Sequence, residues 1–180
     1  MNILPSDQWL KLGQLQVPAV PQSVLAAPVI TGGGHHHSAL SNELEEFWFC
    51  RNHSPISTLN GPSAEKYFQD LGLPQFEYIS ATFMMITGPV PWHTDSARIN
   101  TINIALQNGS AATTEFNNGT SYVMQDGDVY CLDVSNRHRV VFAQELVQPR
   151  IVLSIGLVYG FHSAESQAIV NDIAGYLAQQ

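Results

Sequence analysis

Through residues 77–158 the chain alternates apolar and polar side chains with a period of two, the spacing of strands whose two faces meet different surroundings. Arg150, Val152, Ser154 and Gly156 fall on one face of the last such segment, and Ile151, Leu153, Ile155 and Leu157 on the other. Thr101, Asn103, Ala105 and Gln107 likewise oppose Ile102, Ile104 and Leu106, and Ser80 and Thr82 oppose Ile79, Ala81 and Phe83. Each segment thus has one aliphatic face and one smaller, more polar face. Strands are predicted at about 77–87, 99–107, 112–117, 120–125, 128–133, 138–143 and 150–158. Turn signals separate them: Gly88-Pro89, Asn108-Gly109, Asn117-Asn118-Gly119 and Asp126-Gly127. Short strands at this spacing predict a mainly β fold, a sandwich or barrel of jelly-roll type. The polar faces would line a wet cavity, and helices would cover the aliphatic faces.

Helical spacing supplies those covers. Pro62 opens a predicted helix over 62–71, Ala64, Phe68 and Leu71 recur along it, and Gly72 ends it. Ala168, Ile169, Ile173, Ala174 and Leu177 predict an amphipathic helix over 163–178. Residues 42–49 read as a helix-like or edge segment. The first 34 residues read as an extended, loop-rich wrap ending in Gly32-Gly33-Gly34. His35-His36-His37 follows; three consecutive residues of a strand cannot face one ion, so a flexible polar loop is expected there rather than a metal site. One domain is expected over 1–180, with an N-terminal wrap and helices over 1–76, a jelly-roll core over 77–160 and the C-terminal helix.

Composition narrows the functional classes. A chain of 180 residues can bury a core without disulfides or structural metals. With 7 basic against 15 acidic residues and a net charge of -8, it is poorly suited to phosphate backbones or to an anionic membrane surface. Cys50 and Cys131 are too few for a disulfide framework and are expected to be reduced thiols. Residues 1–12 read as neither a signal nor a transit peptide, and 151–159 is too short to span a bilayer, so a cytoplasmic location is expected.

The segment Pro91-Trp92-His93-Thr94-Asp95 carries the chemistry. On an extended strand His93 and Asp95 point the same way, so an imidazole and a carboxylate can grip one ion. They form two-thirds of the 2-His-1-carboxylate triad of non-haem Fe(II) oxygenases, which leaves positions open on the metal. His138 fits as the third ligand, since it follows the turn Asp133-Val134-Ser135-Asn136 and opens a strand. His53 precedes the strands and His162 follows them. Arg150 heads an almost wholly apolar strand. A guanidinium there requires an anion, and its planar fork suits a carboxylate. The alternatives are a surface Asp–His hydrogen bond for His93 and Asp95, and for Arg150 a salt bridge to Glu77 or Glu115. Arg137 and Arg139 should point away from His138. Arg98 either grips an anionic group at the cavity mouth or is a surface charge. Trp92 walls the pocket or packs in the core.

Residues 86–157 resemble the 2-oxoglutarate/Fe(II) dioxygenase superfamily, with its HxD…H…R pattern on a double-stranded β-helix. Thr113-Thr114-Glu115-Phe116 is similar to the G-x-T-x-F stretch of that family, without Gly at its first position. The resemblance covers less than half the chain. It implies a double-stranded β-helix (jelly-roll or cupin-like) with flanking helices. It further implies Fe(II) held by His93, Asp95 and His138, and 2-oxoglutarate as co-substrate on Arg150, with Asn103 and Ser154 as further contacts. The implied activity is hydroxylation of a small molecule or a peptide or protein side chain, coupled to oxidative decarboxylation of 2-oxoglutarate; the carboxylate at Asp95 argues against halogenation. Two other classes fit the residues: a cupin-like metalloenzyme without 2-oxoglutarate, and a non-enzymatic ligand-binding β-sandwich.

Overall fold

The computed structural model describes residues 8–25, 34–37, 47–50, 55–95, 98–108, 112–143 and 148–180. The first elements are β1 (Trp9–Gln14), α1 (Gln22–Leu25), β2 (Gly34–His37), β3 (Phe47–Cys50), β4 (Ile56–Asn60) and α2 (Pro62–Asp70). A run of strands follows: β5 (Tyr78–Ile86), β6 (Val90–His93), β7 (Thr101–Asn108), β8 (Ala112–Phe116), β9 (Ser121–Val123), β10 (Asp128–Leu132), β11 (His138–Phe142) and β12 (Arg150–Leu157). Helix α3 (Ala164–Leu177) closes the order.

The strands form two antiparallel sheets. One has eight strands in the order β1-β10-β7-β12-β5-β4-β3-β2, and the other four in the order β6-β11-β8-β9. From β5 onward the chain passes back and forth between them, so β5, β7, β10 and β12 adjoin in the large sheet while β6, β8, β9 and β11 make the small one. This is a β-sandwich.

The predicted faces are the ones used in β7 and β12, and in β5 for Ala81 and Phe83, whereas Ile79 is exposed. Phe83, Ile102, Ile104, Ile151, Leu153 and Ile155 form one buried cluster with Phe68 of α2 and Val170 and Ile173 of α3. These side chains are almost fully removed from water, each contributing about 1.5–3 kcal/mol. The opposite face of the large sheet looks toward the small sheet through Ala105, Tyr130 and Leu132, which meet Phe116 and Tyr122. Because both faces are covered and β5 and β7 flank it, every residue of β12 is buried. Ser163 caps α3 by accepting from the Ser166 N–H at 3.1 Å. Gly127, at φ 86, makes the turn into β10, where a Cβ would collide with the Leu15 carbonyl.

Several elements differ from the sequence reading. The N-terminal wrap contains a strand, β1, that pairs Trp9 with Leu132 and extends the large sheet. His35, His36 and His37 belong to β2, whose backbone pairs with β3, so the expected loop is an edge strand. The same pairing makes the end of the 42–49 segment a strand; residues 38–46 lie outside the described ones. β4 and β6 were not in the predicted set, being short and broken by Ser, Thr, Asn or Pro. No described helix is long and apolar enough to cross a membrane.

Candidate metal centre

β6 ends at His93, so Asp95 reaches the same place without being on the strand. The Asp95 N–H donates to the Val134 carbonyl at 3.1 Å, which ties the segment after β6 to the turn before β11. Asp133 shapes that turn: its carboxylate accepts from the Ser135 N–H at 3.2 Å and from the Asn136 side-chain amide at 2.8 Å. His138 then enters β11 directly opposite His93 in the ladder. Sequence-distant residues are thus brought together by one strand pairing and one backbone hydrogen bond.

The ligand atoms of His93, Asp95 and His138 all lie within 4.8 Å of one another. The His93 Nε2 to Asp95 Oδ1 separation is 3.6 Å, and the two imidazole centroids are 4.2 Å apart. His93 Nδ1 lies 2.9 Å from the Pro91 carbonyl, and His138 Nδ1 lies 2.9 Å from the Asn136 carbonyl. A carbonyl only accepts, so each Nδ1 is assigned as the N–H donor and each Nε2 carries the free lone pair. This backbone fixing of the second ring nitrogen is how ligating histidines are held in one tautomer. Burial pulls the His138 pKa below its ordinary value, and the neighbouring His93 and Arg150 pull the same way. Metal ligation requires that neutral form.

The shift has a consequence for stability. A histidine whose folded pKa is depressed leaves the unfolded chain as the better proton binder. Its contribution is therefore present above the unfolded value, about 6.5, and is lost as pH falls through the folded one. The melting temperature of metal-free protein should fall on acidification below about pH 6.5, and the fall should be shallower in His138→Asn. Parallel wild-type and variant curves would refute this role for His138.

The triad opens on a cavity of about 60 Å³ between the sheets. Thr101, Asn103, Thr114, Tyr122, Arg150 and Ser154 place polar groups in a wall that is otherwise mostly aliphatic. Arg150 is 3% exposed. Its Nη1 donates to Thr114 Oγ1 at 2.9 Å and its Nη2 to Met124 Sδ at 2.9 Å, while Nε has no partner. Neither expected carboxylate meets it. Glu115 is bound by Arg139 at 2.7 Å, and Glu77 accepts from Tyr159 at 2.8 Å. The Tyr122 hydroxyl is close enough to Thr114 and Arg150 to feel both, yet makes no well-formed hydrogen bond. Asn103 Oδ1 and Thr101 Oγ1 are also buried without partners. Orphan polar atoms converging on one cavity are satisfied by a polar ligand or by ordered water. Ser154 lines the same cavity; its hydroxyl accepts from Arg98 and keeps its own hydrogen to donate.

Arg139 and Trp92 do not line this cavity; the guanidinium sits 4.8 Å from the Trp92 ring centre. Thr114, Tyr122 and Met124 surround Arg150 without being named as its partners by the sequence pattern. The pairing of Thr114 with Tyr122 across β8 and β9, read together with the alternation that put Phe116 and His138 inside, is the signal that points to the first two.

No protein-family model matches the chain, and no curated protein does. Among solved structures, the chain is similar to an oxidoreductase of the 2OG-Fe(II) oxygenase family from Burkholderia pseudomallei. The identity is 16% and the TM-score 0.40, with 63% of this chain and 71% of that one covered. It is also similar to a protein from Neisseria meningitidis at 19% identity and a TM-score of 0.33, covering 50% of this chain and 94% of that one. The chemistry of the site therefore rests on its own residues.

Proposed function

We propose that this protein is a 2-oxoglutarate- and Fe(II)-dependent oxygenase that hydroxylates its substrate, built on a double-stranded β-helix. The observation that carries the reading is a His-Asp-His cluster sharing one cavity with a buried arginine that has no carboxylate partner among the described residues. The passage of the chain between the two sheets from β5 to β12 supports the double-stranded β-helix.

The donor set fits Fe(II): two neutral imidazoles and one carboxylate, clustered so that part of the coordination sphere stays open. The orphan atoms fit a dicarboxylate co-substrate. Arg150 would take its far carboxylate, helped by Thr114 and the Tyr122 hydroxyl, and Asn103 and Ser154 would offer further contacts along the cavity wall. When bound, iron and 2-oxoglutarate supply the oxidising power by decarboxylation to succinate; the chain supplies placement and exclusion of water. Its substrate would be a small molecule or a peptide or protein side chain. A cupin-like metalloenzyme without 2-oxoglutarate would leave the Arg150 charge buried with no counter-ion among the described residues.

Anaerobic titration of the purified protein with Fe(II) and then 2-oxoglutarate tests the proposal. A visible metal-to-ligand charge-transfer band is expected, saturating at one equivalent of each. If wild-type protein binds Fe(II) but develops no band, 2-oxoglutarate is not its co-substrate.

A further inference from the structure

A second guanidinium stands beside the same cavity. Arg98 Nη1 donates to Ser154 Oγ at 2.9 Å, and Nη2 donates to Thr82 Oγ1 at 3.1 Å. Thr82 and Ser154 pair across β5 and β12, so two neutral hydroxyls on adjacent strands hold the group. The Arg98 stem lies over Gly156, where a Cβ would sit 3.5 Å from Arg98 Cδ. Of the described Lys and Arg side chains, Lys11, Lys66 and Arg139 each have a carboxylate partner. Arg98, Arg137 and Arg150 have none among the described residues, and of these Arg98 and Arg150 bond to residues lining the cavity that contains the triad.

The two arginines serve different positions. Ser154, which holds Arg98, is four residues from Arg150 on β12, about 13 Å along an extended strand. Arg150 turns instead to Thr114 and Met124, toward the small sheet. The two guanidiniums are therefore held on different partners of the same cavity wall. Arg98 also feels the charge of Asp95. A guanidinium has five N–H donors, of which the hydroxyls take two here. Unlike Arg150, Arg98 is only partly buried, so a ligand entering from outside reaches it.

We propose that Arg98 binds a carboxylate of the substrate, and hence that the substrate is a small carboxylic acid. The inference deepens the oxygenase reading and rests on it. A planar fork flanked by two hydroxyls suits a carboxylate. A single cation beside Asp95, in a chain of net charge -8, suits a singly charged group better than a phosphate.

The test uses the Fe(II)–2-oxoglutarate complex under anaerobic conditions. Wild type and Arg98→Gln are each titrated with the twenty protein L-amino acids, simple C2–C6 monocarboxylic acids, and the primary amides of both sets. Both proteins should form the charge-transfer band with similar 2-oxoglutarate affinity. At least one acid should shift the wild-type band, bind Arg98→Gln more than about tenfold more weakly, and lose that preference as its amide. Arg98→Lys should restore part of the discrimination, which a purely structural role would not do. The proposal is overturned if Arg98→Gln loses the 2-oxoglutarate band, if no acid shifts the wild-type band, or if acid and amide bind alike. Absence of the band in wild type would sink the oxygenase reading instead. Carboxylate binding to metal-free wild type and Arg98→Gln, measured by saturation-transfer NMR, then decides Arg98 separately: equal signals overturn its role.

Discussion

Asp95→Ala is expected to weaken Fe(II) or Mn(II) binding by more than about 100-fold, since disturbing even an outer-shell partner of a metal ligand costs 10–100-fold. Asp95 is the triad's anionic member, and its side chain is 31% exposed. Removing it takes away the charge that compensates a divalent ion and leaves two neutral imidazoles. The variant should nevertheless fold, because Asp95 is anchored through its backbone N–H to Val134, which alanine retains. Circular dichroism and the melting temperature of metal-free protein should stay close to wild type. Isothermal titration with Mn(II), which is stable to oxidation, reads the affinity directly. Unchanged Mn(II) affinity in Asp95→Ala would show that the cluster is a hydrogen-bonded surface turn rather than a metal centre.

Local patterning carried much of the fold because the site-bearing strands are long enough to alternate. In β12 and β7 the sorting into aliphatic and polar faces matches the helix-side cluster and the cavity wall. Where that signal is short, tertiary pairing decides. β6 has Pro91 in its middle and only four residues, and β2 is made of Gly and His; each is a strand because a neighbour completes its hydrogen bonds. β1 shows the same limit, since its place at the end of the large sheet depends on β10, far away in sequence. In the site, His93, Asp95 and His138 were legible as residue types, although Asp95 falls just past the end of β6. Their convergence was expected from strand alternation, but it arises from the Asp95–Val134 bond and the His93–His138 pairing. The surroundings of Arg150 were less legible. A carboxylate partner was the natural alternative, and only the fold shows that Glu77 and Glu115 are committed elsewhere.

Arg150→Met separates a co-substrate anchor from a structural arginine, because the two roles give opposite signs. Arg150 has no counter-ion among the described residues; such a buried charge opposes folding, and replacing it with a well-packed apolar side chain is often neutral or stabilising by about 1–4 kcal/mol. Methionine keeps much of the stem volume and adapts to irregular space. It forfeits the hydrogen bonds to Thr114 and Met124, about 1 kcal/mol each by the usual measure. Metal-free Arg150→Met should therefore melt within a few degrees of wild type, which a structural salt bridge would not allow. The response to ligand should differ sharply. In wild type loaded with Mn(II), 2-oxoglutarate at 100 times its Kd adds about 2.7 kcal/mol. For a chain of this size that raises the melting temperature by roughly 5–10 °C. In Arg150→Met the same concentration should give almost no shift, while the shift produced by Mn(II) alone persists. Thermal melts of both proteins with Mn(II), with and without 2-oxoglutarate, provide the comparison. A variant that collapses without metal would place Arg150 among the structural residues. One that keeps the full 2-oxoglutarate shift would move the co-substrate site elsewhere, with Arg98 the next guanidinium on the same cavity.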